Sequence, residues 1–226
     1  MRSNILKKPF PFPEAVLLDM DGLLLDTEKV AERAFFASCE IYRFSCSKEA
    51  YGQLTGHTSV LRDKLLASIL PKDTDIDAFN QNWWKHFQRF LDNHVPIKDG
   101  AREFLEYMRT KKIRIVVVTS SYTNSAEDLL TRSKLRSFVE LIIGGDQVAN
   151  VKPAKDIYLK ALSLANVSAS SCIAFEDSDV GVMAAHAAGV PVIQIPDIIR
   201  PSKKCVALGH LIFDSFINAR DELGWR

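Results

Sequence analysis

The sequence predicts an α/β fold, a doubly wound parallel sheet with an α-helical domain inserted after its first strand. Two observations indicate this architecture. From Asp99 onward, short apolar runs alternate with amphipathic helical periods, as in sheets whose parallel strands are joined by helices. Between Glu28 and Asp99, helical periods follow one another without strand-like alternation. The core is therefore expected to be Rossmann-like, with a helical insert between its first and second strands.

The predicted strands are short apolar or β-branched runs. They lie at residues 15–18, 113–118, 139–143, 171–175, 190–195 and 211–213. The helix before the second strand carries Phe104 and Met108 on its apolar face. Pro153 suits the first turn of a later helix, whose inner face includes Tyr158 and Leu162.

The insert is expected to bury an apolar face of its own. A long amphipathic helix is predicted from residues spaced three and four apart, namely Ile76, Phe79, Trp83, Phe87 and Phe90. Trp83 and Trp84 could form an aromatic binding platform, but their spacing favours packing in the core. The predicted domains are residues 1–27 with 97–226 for the core, and residues 28–96 for the insert.

Composition narrows the class of protein. The formal net charge of +1 gives no indication of a nucleic-acid or membrane-surface partner. The four cysteines show no CxxC spacing, so the sequence does not predict a zinc site. The first residues lack the apolar stretch of a secretory signal, and no run approaches the ~18 residues of a membrane span. We therefore predict a cytoplasmic protein. It is expected to be a monomer or a weak dimer, to which the exposed face of the Trp83–Trp84 helix could contribute.

Two aspartates close the first predicted strand. Asp19 and Asp21 are separated by one residue and followed by Gly22, which allows a turn. Ligands of open α/β sheets lie beyond the carboxyl ends of the strands, and a bound cation would relieve the repulsion between two such carboxylates. Ordinary turn chemistry is the alternative for so short a motif. An EF-hand is excluded, because its required Gly and Glu positions hold Leu24 and Val30.

Three further polar groups follow later strands. Thr119, Ser120 and Ser121 come after the second predicted strand, where they could alternatively cap the next helix. Lys152 begins another segment and could simply be solvated. Glu176 and Asp177 form an acidic pair at the end of a further buried strand. Each group taken alone has an ordinary explanation. Because all of them follow predicted strands, together they indicate a single site. They are Thr119, Ser120, Ser121, Lys152, Glu176 and Asp177.

The order of these groups resembles one enzyme family. Residues 15–28 resemble the haloacid dehalogenase-like signature Asp-x-Asp-Gly-x-Leu-x-Asp-Thr-Glu, most closely that of β-phosphoglucomutase and small sugar phosphatases. An aspartate pair, a threonine, a lysine and an acidic pair occur in this order in the four active-site motifs of the family. The resemblance extends from Ala15 to about Pro196 and implies that the helical insert is a cap over the active site.

The resemblance also implies a role for each matching residue. Asp19 would be the nucleophile that forms an aspartyl-phosphate, and Asp21 the general acid and base. Thr119 and Lys152 would hold the phosphoryl oxygens. Substrate contacts are expected from a further set, namely Thr27, Gly56, His57 and Ser120.

A magnesium ion is the implied cofactor. Its expected ligands are Asp19, the backbone carbonyl of Asp21, and Asp177, with Glu176 bound directly or through water. Ligands that offer only oxygen suit this hard cation.

The expected reaction is hydrolysis of a small phosphate monoester, with a sugar phosphate favoured. Dehalogenases of the family lack the second aspartate, which Asp21 supplies here. The β-phosphoglucomutases are the main alternative; they carry a cap histidine where this chain has Ala31, and an arginine where it has Ser59. Both differences favour a phosphatase that uses water as the acceptor. Phosphonatases use a cap lysine, and no lysine between residues 28 and 96 can be assigned that role.

A non-catalytic protein is the second alternative. A phospho-receiver domain would lack both the helical insert and the second aspartate. A degenerate binding module would be expected to have lost one of the catalytic motifs, but Asp19, Asp21, Lys152 and Asp177 are all present. An active enzyme that takes a small phosphorylated metabolite is therefore the favoured interpretation.

Overall fold

The computed structural model describes residues 11–54 and 59–225, without the side chains of residues 59–61. The chain forms two compact units. The first, here called the core unit, comprises Met1–Leu25 and Ile97–Arg226, and the second, the insert unit, comprises Asp26–Pro96. No helix in the described ranges is both long enough and apolar enough to span a membrane.

The core unit contains a parallel sheet with the order β3-β2-β1-β4-β5-β6. Its strands are β1 (Ala15–Leu18), β2 (Arg114–Val118), β3 (Leu141–Ile143), β4 (Cys172–Glu176), β5 (Val192–Gln194) and β6 (Leu211–Ile212). Every neighbouring pair of strands in this order is parallel. The strand order reverses direction between β1 and β4, and the crevice at such a point is where open α/β sheets bind ligands.

Ten α-helices lie in the described residues. The insert unit holds α1 (Thr27–Ile41), α2 (Lys48–Gly52), α3 (Ser59–Ile69) and α4 (Ile76–Asn93). The core unit holds α5 (Ala101–Thr110), α6 (Thr123–Arg132), α7 (Asp156–Ala165), α8 (Asp179–Ala187), α9 (Lys203–Val206) and α10 (Phe216–Glu222). The sheet and its connecting helices confirm the predicted α/β, Rossmann-like architecture.

Burial explains why the strands could be recognised from the sequence. All four residues of β1 are fully buried, as are Val116, Val117 and Val118 of β2. When both faces of a strand are covered, the side chains on both faces are apolar. Its sequence is therefore a continuous apolar run and shows no alternation of apolar and polar residues.

The start of α7 differs from the prediction. The helix begins at Asp156, so Pro153 lies in the preceding turn and not in the first helical turn. A hydrogen bond from Ala154 N to Val151 O (3.0 Å) closes this turn. The Lys152–Pro153 peptide bond is cis.

The two adjacent tryptophans of α4 lie in different environments. Trp83 packs on Phe35 with ring centroids 5.2 Å apart, and its Nε1 donates to Ala31 O at 2.9 Å. Trp84 is 61% exposed and stacks on Phe87. Consecutive helical residues point about 100° apart, so both rings cannot face one core. The prediction of core packing is right for Trp83 and wrong for Trp84.

Candidate active site

The central strands bring the first pair of carboxylates together. In the β1–β4 register Leu18 lies opposite Phe175, and Asp19 N donates to Phe175 O at 3.0 Å. Asp19 and Glu176 therefore leave the carboxyl ends of adjacent parallel strands. They are distant in sequence, but both lie at the point where the strand order reverses.

Lys152 joins these two carboxylates. Its Nζ forms ion pairs with Asp19 Oδ1 and, at 2.7 Å, with Glu176 Oε1. It also donates to Val118 O at 2.8 Å, and the side chain is only 2% exposed. The alternative of a solvated lysine is therefore excluded. Lys152 is a buried cation held by the ends of β1, β2 and β4.

A tyrosine and a glycine hold Glu176 in place. The Tyr158 hydroxyl donates to Glu176 Oε1, and both residues are fully buried. A Cβ atom on Gly181 would overlap the Glu176 carboxylate, so only glycine leaves room for it. The helical periodicity predicts a place for Tyr158 on the apolar face of its helix and does not reveal this role. A buried tyrosine needs a hydrogen-bond partner for its hydroxyl, so its position among apolar core residues could have indicated this role.

The site has more negative than positive charge. Burial raises the pKa of Asp19 to about 8, with Glu176 and Asp21 adding to the shift and Lys152 opposing it. Burial by itself would lower the pKa of Lys152, but the Asp19 and Glu176 carboxylates outweigh it and hold that pKa above its usual value. Burial, with Glu176 beside it, likewise holds the pKa of Tyr158 well above its ordinary range, which keeps the hydroxyl protonated as a donor.

Asp21 is oriented by hydroxyl groups that follow β2. Ser121 Oγ donates to Asp21 Oδ2 at 2.8 Å, and Thr119 Oγ1 lies 3.3 Å from the same oxygen. Ser121 was predicted to follow the second strand at the site, but no role was assigned to it. Ser120, which was predicted to contact substrate, has an exposed side chain, and its carbonyl packs against Gly145.

The hydroxyls after β2 do not cap α6. The first N–H of that helix, at Thr123, donates instead to Asp146 Oδ1 at 2.7 Å. This backbone hydrogen bond lowers the pKa of Asp146. Because Asp146 comes from the segment after β3, the cap is a tertiary contact, and Thr119 and Ser121 remain available to Asp21.

Asp177 completes the acidic group. Gly22, in the turn after Asp21, has a φ of +82°, and a Cβ atom there would overlap the Asp177 carboxylate. Glycine is required at this position both for the backbone conformation and for the approach of Asp177.

The acidic group fits a magnesium ion. Asp19, Glu176 and Asp177 each offer an oxygen, and these atoms lie within 4.8 Å of one another. Glu176 Oε2 is buried without a hydrogen-bond partner among the described residues, and such an atom requires a cation or a donor. The raised pKa of Asp19 likewise indicates a need for positive charge. A set of ligands that offers only oxygen is what Mg²⁺ prefers. The Asp21 carboxylate is outside this group.

Of the remaining predicted substrate contacts, the structure describes one, in the insert unit. Thr27 is the first residue of α1 and is buried. Gly56 and His57 lie outside the residues that the structure describes.

The fold and the site define an α/β enzyme with an acidic, lysine-containing centre at the crevice of the sheet. Residues 16–195 match the family model of the haloacid dehalogenase-like hydrolases. The chain therefore belongs to this family, which confirms the resemblance noted from its motifs.

The chain is similar in sequence and structure to several known proteins, including sugar-phosphate enzymes. A phosphorylated carbohydrates phosphatase of Thermotoga maritima is 31% identical over 177 residues, covering 78% of this chain and 82% of the relative. A crystal structure from Thermotoga maritima, provisionally assigned as a β-phosphoglucomutase, has a TM-score of 0.77 and 27% identity over 93% of this chain and 96% of its own. CbbY from Rhodobacter sphaeroides, solved with phosphate, has a TM-score of 0.71 and 26% identity, covering 91% of this chain and 95% of its own.

Proposed function

We propose that this hydrolase is a Mg²⁺-dependent phosphatase that acts on a small phosphate monoester, with a sugar phosphate as the favoured substrate. The observation that carries the proposal is the arrangement around Lys152, which pairs with Asp19 and Glu176 at 2% exposure. Phosphoryl transfer needs a nucleophile beside fixed positive charge. The relative that acts on phosphorylated carbohydrates supports the choice of substrate class.

Asp19 and Asp21 would share the first step. An Asp19 carboxylate oxygen attacks the phosphorus, the bond from phosphorus to the ester oxygen breaks, and an aspartyl-phosphate forms. Asp21 gives its proton to the departing oxygen, which leaves as an alcohol. The hydrogen bond from Ser121 (2.8 Å) holds the Asp21 carboxyl in a fixed orientation for this transfer.

Water would complete the reaction. Asp21, now a carboxylate, takes a proton from a water molecule, whose oxygen attacks the phosphorus of the aspartyl-phosphate. The bond between phosphorus and the Asp19 oxygen breaks, so that inorganic phosphate leaves and both aspartates return to their initial states. Lys152 keeps positive charge beside Asp19 throughout.

The metal would be held by Asp19, Asp177 and the backbone carbonyl of Asp21, with Glu176 direct or through water. When bound, Mg²⁺ supplies positive charge for the phosphoryl oxygens and for the crowded carboxylates. Chelation with EDTA is therefore expected to lower phosphate release to background, and added Mg²⁺ to restore it. Phosphate release that continued after chelation would contradict the metal assignment.

A phosphosugar mutase is the second candidate, and the provisional assignment of the Thermotoga maritima neighbour favours it. At the position of the mutase histidine this chain has Ala31, whose methyl group can neither accept nor donate a proton. Its carbonyl accepts a hydrogen bond from Trp83 at 2.9 Å within the insert unit. We therefore favour hydrolysis over transfer to a sugar hydroxyl.

One assay separates the two candidates. Phosphate release is measured from a panel of phosphate monoesters with Mg²⁺, including β-glucose 1-phosphate, and conversion of the latter to glucose 6-phosphate is followed separately. We expect release from several sugar phosphates without isomerisation. Isomerisation with little release would establish a mutase and overturn the interpretation of Ala31.

Compartment and assembly are also part of the proposal. Each of the four cysteines is a free thiol and three of them are buried, as is usual for proteins of reducing compartments, so we place the protein in the cytoplasm.

For assembly we propose a monomer or a weak dimer with exposed Trp84 at the contact. Light scattering across a concentration series, with Trp84→Ala as the comparison, tests this.

A further inference from the structure

A fourth carboxylate lies beside the proposed metal ligands. Asp197 follows β5 in the core unit, and its side chain is 8% exposed. Lys98 Nζ pairs with Asp197 Oδ1 at 2.5 Å. The other oxygen, Oδ2, is buried and has no hydrogen-bond partner among the described residues.

The unpartnered oxygen points toward the acidic group. A Cβ atom on Gly22 would lie 3.4 Å from Asp197 Oδ2 and would overlap Asp177 Oδ2. Both carboxylates therefore converge on the same side of Gly22. Asp197 is not among the residues whose oxygens lie within ligand distance of one another, so it adjoins the metal site without belonging to it.

Lys98 is held firmly on the outer side of this carboxylate. Its backbone N–H donates to Leu24 O at 3.0 Å, in the loop that follows the aspartate pair. The side chain is 21% exposed, against 8% for Asp197. The positive charge of Lys98 thus neutralises Asp197 from one side, while Oδ2 faces the acidic group on the other.

We propose that Asp197 and Lys98 are positioning residues that set the cation affinity of the Asp19–Glu176–Asp177 group without ligating the ion. The inference rests on the proposed magnesium site. A buried carboxylate close to other carboxylates raises their affinity for a cation, and a neighbouring ammonium group lowers that affinity. The two residues therefore act on metal binding with opposite signs.

A purely structural role would not give opposite signs. If the pair only held the loop after β5 against the segment before α5, loss of either member would disturb the ligands and weaken metal binding in both cases. Removal of both charges together would not restore binding either.

The experiment measures Mg²⁺ affinity of the full-length protein by titration calorimetry, with melting temperature as a check on folding. Asp197→Asn, which removes one negative charge and keeps the positive charge of Lys98, is expected to weaken Mg²⁺ binding by about tenfold. Lys98→Met, which leaves Asp197 unbalanced, is expected to tighten it by a similar factor. The double variant should bind within about twofold of the unsubstituted protein, because the pair is neutral as a whole.

Two comparisons keep the test decisive. If Lys98→Met does not fold, the double variant, which removes both charges, must still bind Mg²⁺ about tenfold more tightly than Asp197→Asn alone. Arg114→Met and Glu140→Gln remove an ion pair of 2.6 Å at the other edge of the sheet and should leave Mg²⁺ affinity unchanged.

The outcomes separate this inference from the proposed function. Asp177→Asn should abolish Mg²⁺ binding; if the unsubstituted protein binds no Mg²⁺, the magnesium site and the inference fail together. If binding depends on Asp177 while both members of the Lys98–Asp197 pair shift affinity in the same direction, or not at all, the inference alone is overturned.

Discussion

Replacement of Asp19 by Asn is expected to lower turnover by about four orders of magnitude or more, because the amide cannot attack phosphorus. The fold should persist. Lys152 keeps its bonds to Glu176 and to Val118 O, and Asn retains the shape and one acceptor oxygen of the aspartate. The measurement is phosphate release in the presence of Mg²⁺, with circular dichroism to establish folding.

The same substitution carries a prediction for stability. The pKa of Asp19 is raised to about 8 by burial, so the folded state holds a proton that the unfolded chain releases above its ordinary pKa near 4. Near neutral pH, folding therefore requires Asp19 to take up a proton, and this lowers the free energy of unfolding. In buffer without metal, the melting temperature of Asp19→Asn should equal or exceed that of the unsubstituted protein.

Asp146→Asn is the matched control. Asp146 also follows a strand of the sheet, but its carboxylate accepts from the N–H and hydroxyl of Thr123. Because Asn keeps an oxygen that can accept from Thr123, this change should have little effect on stability and leave turnover within about twofold. Substantial turnover by Asp19→Asn, or an equal loss in both variants, would contradict the role of Asp19 as nucleophile.

Replacement of Gly181 by Ala has the second largest expected effect. In an ordinary helix this change stabilises by about 1 kcal/mol. Here the added Cβ atom would overlap the Glu176 carboxylate, which Lys152 and Tyr158 hold in place. We expect a net loss of about 3 kcal/mol in the free energy of unfolding and a fall of at least about 100-fold in turnover.

Gly52→Ala is the control for this change. Gly52 also lies in a helix, α2, but a Cβ atom there would meet nothing within 4 Å. Urea denaturation should show unchanged or slightly increased stability for Gly52→Ala. If Gly181→Ala behaved in the same way, the close packing of Glu176 against α8 would not be required for the site.

Much of the fold could be predicted from the sequence, because the strands are buried on both faces. An apolar run such as Val116–Val118 is a local signal, and its interpretation does not depend on distant residues. The handedness of parallel connections then restricts how such strands can be arranged. The existence of a site at the strand ends followed from the same pattern, since polar residues directly after buried strands meet at one edge.

Side-chain directions could not be predicted in this way. Both Ser120 and Ser121 follow β2, and the structure turns Ser121 toward Asp21. Both Trp83 and Trp84 lie in α4, and only Trp83 packs in the core of the insert unit. Adjacent residues differ in direction by an angle that the local backbone sets, and residue type alone does not give it.

The sequence by itself therefore determined the family, the α/β class and the residues that meet at the sheet edge. Only the tertiary structure decided how they are paired. Lys152 and Asp19 are 133 positions apart, and the same lysine could have been solvated. Burial among three strand ends removes its water, and Asp19, Glu176 and the Val118 carbonyl satisfy its charge instead. Gly181 and Tyr158 are required because of that pairing. Gly181 leaves room for the Glu176 carboxylate, and Tyr158 donates a hydrogen bond to it. A buried charge is destabilised when its partner is displaced or its hydrogen-bond donor is lost.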